Sequence, residues 1–272
     1  MLSNITLGQF FPGDSPVHKI DPRFKIIITL LYIVTVFCAG TYPAFALCAV
    51  MTVTLVVLSK INIRIIARSM KPIMFILLFT AIMNLFLTEG KTLLFSFWII
   101  NIYLEGVRFA ALMALRIIML VTGAFVLLTY TTSPMDLTDA IERLTSPLSR
   151  VGIPTHEFAM MMSIALRFIP TLIEETDKII CAQKARGADF ETGSLVKRAK
   201  AFVPILIPLF ISSFRRADEL ASAMECRLYN GGAGRGRLKV LKSRPTDFLW
   251  LIIFCTILFV VIYFNGLFVR VI

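Results

Sequence analysis

The sequence predicts an all-α membrane protein with about five transmembrane helices and a cytoplasmic domain of long coupling helices. Three observations carry that reading. Hydrophobic residues make up 57% of the 272 positions and charged residues only 17%, with a mean hydropathy of +0.82. Soluble domains average about 45–50% apolar and about 25% charged residues, and one core of this size cannot hide the excess. Apolar runs of spanning length recur along the chain. Between the last two of them lies a long stretch that is helix-periodic, apolar and rich in Lys and Arg.

Four apolar segments come first, over 24–40, 43–59, 71–88 and 106–130, and a fifth runs over 247–269. At 1.5 Å per residue each approaches the ~30 Å of a hydrocarbon layer, the first three near the lower limit. Asp21-Pro22 supplies an N-cap and a first-turn proline for the first span. The stretch 92–104, TLLFSFWIINIYL, is too short to span and rich in aromatic and β-branched residues. It reads as a hairpin or re-entrant element near the interface. The domains expected are 1–130 with four spans, a cytoplasmic 131–246, and a C-terminal span in 247–272.

Lys and Arg distribution sets the orientation. Lys19, Arg23 and Lys25 precede the first span, and Lys60, Arg64, Arg68 and Lys71 separate the second from the third. The 39–43 loop carries no charge and 89–105 is mixed. The N-terminus and 131–246 are therefore expected inside and the C-terminus outside a cell membrane. The net charge of +11 fits that pattern and contact with anionic lipid; no element that reads a nucleic-acid groove is recognisable.

Several chemistries are poorly served. Five cysteines, at 38, 48, 181, 226 and 255, lack CxxC spacing, and His18 and His156 are the two histidines, too few for a zinc site. GGAGRGRL at 231–238 has Gly-x4-Gly spacing but puts Arg237 and Leu238 where a phosphate loop needs Lys and Ser or Thr. It reads as a basic linker, so no ATP site is expected in this chain. A stand-alone secondary permease, the alternative reading, needs intramembrane carboxylates or histidines, and the five spans show none. Paired acids and a Gly-x-Ser-x-Gly elbow, which an enzyme would use, are missing from the spans too. Arg116 is the one clearly intramembrane charge. It could hold a headgroup, pair with a partner subunit, or serve a helix contact; the structural role is favoured.

Within 131–246, a short helix over 135–148 precedes two long ones. Apolar residues at Phe158, Met162, Ala165, Ile169, Leu172, Thr176 and Ile179 trace one heptad-like seam. Val203, Ile207, Phe210, Phe214, Ala217, Ala221, Met224 and Leu228 trace another. Glu174, Glu175, Asp177 and Lys178 on the first helix, and Arg215, Arg216, Asp218 and Glu219 on the second, then fall on the opposite faces. The small residues Ala165, Ala217 and Ala221 mark where the helices are expected to cross closely, and Pro170, Pro204 and Pro208 where they would bend.

Each long helix ends on an arginine beside small residues: Ala185-Arg186-Gly187, and 41 positions on, Cys226-Arg227-Leu228. An arginine in a last turn offsets the helix dipole, for about 0.3–1 kcal/mol, and Gly187 suits a C-cap. Small neighbours also let a partner's surface close around a guanidinium, whose planar fork binds a carboxylate bidentately.

SPVHKIDPRFK at 15–25, TTSPMDLTDAIERLTSPLSRVGIP at 131–154 and ALRFIPTLIEETDKIICAQKARGADF at 165–190 together resemble the transmembrane component of energy-coupling factor transporters. These are ATP-binding-cassette importers of vitamins and trace metals, and the resemblance covers nearly the whole chain. It implies a non-catalytic subunit that transmits the motion of two cytoplasmic ATPases, which hold ATP and magnesium, to a separate membrane-embedded substrate-binding S component. It also implies that Ala-Arg-Gly motifs at the ends of the coupling helices dock into the two ATPases. Ala185, Arg186 and Gly187 match the first motif. The second matches at Arg227, with Cys226 for Ala and Leu228 for Gly. Leu228 removes the glycine stop and leaves the helix free to run on toward Gly231, so the two ends need not share a geometry.

Overall fold

The computed structural model describes residues 10–88, 92–97, 100–147, 152, 154–188, 190, 194–231 and 243–267. Its elements are α1 (Pro22–Cys38), α2 (Tyr42–Ser59), α3 (Ile63–Leu87), β1 (Leu93–Phe97), β2 (Ile100–Tyr103), α4 (Leu104–Ala124, running on as a π-helical turn over Phe125–Thr129), α5 (Pro134–Thr145), α6 (Thr155–Ala185), α7 (Leu195–Cys226) and α8 (Pro245–Leu267). This is an all-α, multi-pass membrane protein with one small hairpin. The chain divides into two compact units, one made of Gly8–Leu137 with Leu241–Ile272, the other spanning Thr138–Val240. The divisions fall at 137 and 240, against 130 and 246 from sequence, and α8 belongs with the first helices.

Among the described residues, five helices are long and apolar enough to cross a membrane: α2, α3, α4 with its π-turn, α6 and α8. Four of these coincide with expected spans. The remaining expected span is α1, which at 17 residues is the shortest. By length and composition α6 joins the set, although its sequence was read as cytoplasmic. A further difference concerns 60–71, expected as a loop: α3 already starts at Ile63, with the Asn62 side chain accepting the Arg64 N–H at 3.1 Å. Arg64, Arg68 and Lys71 thus ride on the first turns of α3. The 92–104 stretch is indeed a hairpin, β1 antiparallel to β2 with Leu93 opposite Tyr103 and Phe97 opposite Ile100.

In the first unit α1 is the central helix, in contact with α2, α4 and α8. Ile28, Tyr32 and Val36 are fully buried in one cluster with Cys48 and Leu55 of α2, Met119 of α4 and Phe254 and Val261 of α8. Tyr32 needs more than apolar surroundings, because a buried hydroxyl without a partner is costly. It donates to the Met119 carbonyl at 2.7 Å and lies 2.8 Å from the Thr52 hydroxyl. Its ring fits because position 123 is glycine; a Cβ there would fall 2.3 Å from ring carbons.

Both ends of α1 are sealed by side chains. At the N-terminus Asp21 accepts the Arg23 N–H at 2.9 Å, as Asp21-Pro22 predicted. The buried carboxylate of Asp247, in the first turn of α8, accepts the Arg244 N–H at 2.7 Å and the Asp21 N–H at 3.4 Å. One carboxylate thereby ties two helix starts together. Lys25, expected to mark the membrane surface, is instead only 1% exposed. Its ammonium donates to the Thr131 carbonyl (2.7 Å), the Thr131 hydroxyl (3.2 Å) and the His18 carbonyl (3.3 Å), matching three donors to three acceptors.

At the other end Arg116 finds its role. Its Nη2 donates to the Ala39 carbonyl, and the guanidinium carbon lies 5.0 Å from the centre of the Phe45 ring. Asn265 of α8 donates to the Cys38 carbonyl and accepts the Gly40 N–H at 3.1 Å. The last carbonyls of α1 are therefore capped from α4 and α8, with a cation at the negative end of the helix dipole. Arg116→Leu and Asn265→Leu should each lower stability by about 1–3 kcal/mol, the range for charged or buried hydrogen bonds. The double variant should lose less than the sum, since both groups serve one helix end. Denaturant titration of the purified chain in detergent measures this; strictly additive losses would separate the two caps.

Candidate docking site at the ends of two long helices

In the second unit α6 and α7 are long helices in contact, 31 and 32 residues, each continuous through its prolines: Pro170 in α6, Pro204 and Pro208 in α7. The α6 seam holds in its second half, where Ile169, Leu172, Thr176 and Ile179 are half-buried, but Phe158, Met162 and Ala165 are exposed. On α7 the register differs from expectation. Val203, Ile207, Phe210, Phe214, Ala217 and Ala221 are exposed, whereas Ala201, Ile205, Leu209, Ser212, Arg216, Leu220 and Met224 are buried or half-buried. Ala165, Ala217 and Ala221, expected at a close crossing, lie on exposed faces of their helices.

Polar residues make the contact instead. Arg216 Nη2 donates to Glu175 Oε2 at 2.8 Å, and the Ser212 hydroxyl also bonds Glu175. The sequence pattern puts Glu175 and Arg216 on faces opposite the apolar seams. The reason lies in α7, where two apolar stripes compete; the one chosen contains a charge that α6 can neutralise.

Both helices finish the same way. At the end of α6 the Gly187 N–H bonds the Lys184 carbonyl and the Ala188 N–H bonds the Gln183 carbonyl, both at 3.0 Å, with Gly187 at φ +85°. These two bonds define a Schellman turn. At the end of α7 the Leu228 N–H bonds the Glu225 carbonyl at 2.8 Å and the Tyr229 N–H bonds the Met224 carbonyl at 3.0 Å, with Leu228 at φ +54°. The two closing hydrogen bonds recur at the same positions of the turn. The run-on toward Gly231 does not occur: α7 stops at Cys226 although a leucine holds the left-handed position.

Arg186 and Arg227 thus occupy equivalent C-cap positions. Both side chains are exposed, and neither guanidinium has a hydrogen bond or ion pair with the described residues. The arginines close their helices through backbone N–H groups, which bond the Gln183 and Met224 carbonyls. Ala185, Gly187, Cys226 and Leu228 beside them are exposed as well. The basic linker at 232–238 lies outside the described residues.

Both histidines are held locally. His18 Nε2 donates to the Phe11 carbonyl at 2.9 Å, leaving Nδ1 to accept from the Ser15 hydroxyl at 2.6 Å. His156 pairs with Glu142 at 2.8 Å. Among the described residues no group of three or more His, Cys, Asp or Glu side chains converges as a metal site would require.

The left-handed leucine generates a prediction. That conformation costs an L-residue about 1–2 kcal/mol, costs glycine almost nothing, and is worst for β-branched residues. Hydrogen exchange at the Tyr229 amide should slow in Leu228→Gly and quicken in Leu228→Val. Equal exchange in the three chains would mean the turn carries no strain.

Comparison with known proteins bears on the whole of this arrangement. The family model described as cobalt transport protein, CbiQ, matches residues 13–240. The chain is 53% identical over 250 residues, 92% of each chain, to the energy-coupling factor transporter transmembrane protein of Clostridium kluyveri. It is 51% identical over 249 residues, again 92% of each, to that of Ruminiclostridium cellulolyticum. With that of Lactococcus lactis subsp. cremoris it shares 42% over 261 residues, 95% of this chain and 98% of the relative. A match this long, on a helical membrane fold with two long helices ending in matched arginines, means that the chain belongs to the CbiQ family, as a transmembrane component of the energy-coupling factor transporters.

Proposed function

We propose that this subunit transmits the ATP-driven motion of two cytoplasmic ATP-binding-cassette ATPases to a separate membrane-embedded S component that captures a vitamin or trace metal. The observation that carries the proposal is the pair of exposed arginines, without a side-chain hydrogen bond or ion pair among the described residues, on matching helix turns. Each guanidinium is already fixed at its base by a capped helix end, so a partner groove need immobilise little more than the side chain. ATP and magnesium belong to the ATPases, and this chain contributes no catalytic group.

The exposed stripe of α7 suits the S component. Leu206, Ile207, Phe210, Ile211 and Phe214 are 50–68% exposed, an apolar strip fit for a membrane-embedded neighbour or lipid. Ala217 and Ala221 continue it toward the arginine tip with small side chains. In this reading the N-terminus and the α6–α7 unit are cytoplasmic and the C-terminus is outside.

Arg186→Ala and Arg227→Ala should each weaken recovery of the ATPases in pull-downs at matched membrane expression, and the double variant should abolish it. Removing one partner of a buried charge pair costs about 2–5 kcal/mol, against about 0–1 for an exposed pair. Full recovery by the double variant would reduce both arginines to helix caps. Retained uptake in cells lacking the ATPases would favour the stand-alone permease.

The orientation has its own test. A cysteine at exposed Ser194, on a cysteine-free background, should react with an impermeant thiol reagent only after cells are opened. A cysteine at 272, which lies outside the described residues, should react in intact cells. Labelling of position 194 in intact cells contradicts the orientation.

A further inference from the structure

The two arginine tips stand at matched distances from the Glu175–Arg216 ion pair that joins α6 to α7. Glu175 precedes Arg186 by eleven residues, and Arg216 precedes Arg227 by eleven. At 1.5 Å per residue each arm is about 16 Å long. Eleven residues at 100° each make about three full turns, returning a side chain to within about 20° of its starting direction. Arg186 therefore stands on the face of α6 that carries Glu175, and Arg227 on the face of α7 that carries Arg216. The matching turns at the two ends preserve this match, since neither helix adds a residue beyond its arginine.

We propose that Glu175 and Arg216, assisted by Ser212, form a register lock at the midpoint of the two arms, and that they are positioning residues for both docking tips. The proposal rests on the docking reading of Arg186 and Arg227 and adds what sets their separation and facing.

The chemistry of the contact explains why a charge pair would be used there. The flanking positions on these faces are Leu172, Ile179, Leu209 and Leu220, with Thr171 one turn before Glu175. Aliphatic surfaces of this kind pack acceptably in more than one register. A slip of one turn along α6 would set Arg216 against Thr171 or Ile179, and a slip along α7 would set Glu175 against Ser212 alone or Leu220. Either leaves a half-buried charge without its partner, so the pair selects one register, as single polar residues do in helix seams. The geometry is oriented as well as charged. Arg216 Nη2 reaches Glu175 Oε2 at 2.8 Å while its Nε lies 3.5 Å from the Ser212 hydroxyl, and that hydroxyl bonds Glu175. With side chains 24% and 34% exposed, the pair is a device for register more than for stability. A lock equidistant from both tips makes any turning about it move the two tips by equal amounts, which suits two partners that close together.

The test uses the full complex, purified with its ATPases and S component, with spin labels at exposed Ala182 and Ala223 on a cysteine-free background. These positions lie four residues before each arginine, outside the docking motif. The wild-type separation should be narrow. Glu175→Arg and Arg216→Glu should each broaden it at least twofold and lower the share of complexes holding two ATPases, counted by native mass spectrometry, about tenfold. The combined swap should restore both readouts, an outcome that loss of general stability would not give. An unchanged separation in the single reversals overturns the proposal, as does a swap no better than its parents. Should a reversal prevent accumulation, Glu175→Gln removes the charge without repulsion, and an unchanged separation there overturns the proposal equally. Failure of the docking reading is distinguishable: ATPases would then stay bound to the Arg186→Ala, Arg227→Ala chain whatever the separation shows.

Discussion

A helix in hydrocarbon satisfies its own backbone except at its ends, where about four N–H and four C=O groups lack intrahelical partners. The shortest of the expected spans, α1, is also the central helix of its unit. The groups that close its ends come from α4, the segment after α4, and α8. Asp247 ties its start to that of α8, Lys25 ties its first turn to the segment after α4, and Arg116 and Asn265 close its last carbonyls. Removing these polar residues would leave the apolar core intact and the backbone exposed to an environment that cannot solvate it. The membrane unit depends on that constraint more than on any single apolar contact.

The same backbone requirement shapes the second unit. Two helices end in the same turn, one with the glycine that the turn favours and one with leucine. The conserved quantity between the two ends is therefore the geometry, with the arginine at the same cap position, and the residue chemistry varies around it. Leucine in a left-handed conformation stores a small strain that the hydrogen bonds to Met224 and Glu225 hold in place. Matched turns at matched distances from Glu175 and Arg216 make the pair of tips a single feature of the fold.

Much of this was legible in the residues. Span-length apolar runs gave the membrane class, Asp21-Pro22 gave the start of α1, and the aromatic, β-branched 92–104 gave the hairpin. Gly187 announced the end of α6. What the sequence concealed has physical reasons. Arg64 and Arg68 look like loop residues, yet an amphipathic first turn carries them on α3. Lys25 looks like a surface cation until a tertiary carbonyl, Thr131, is placed beside it. Turn propensities give no reason to stop a helix at Leu228. The α7 seam was misread because hydrophobic periodicity ranks stripes by apolar content, and the stripe that turns inward contains Ser212 and Arg216. Their value depends on Glu175, 41 positions away, which no local pattern reveals.

The central claim is that the two helix ends meet two different ATPase copies. Its most direct measurement is photocrosslinking within the assembled complex, with a photoreactive residue at Ala188 or Tyr229, each one step beyond a turn residue. The account predicts that either position alone captures an ATPase and that a chain carrying both captures two. Crosslinks confined to lipid or to the chain itself, or both positions joined to a single ATPase copy, would contradict it.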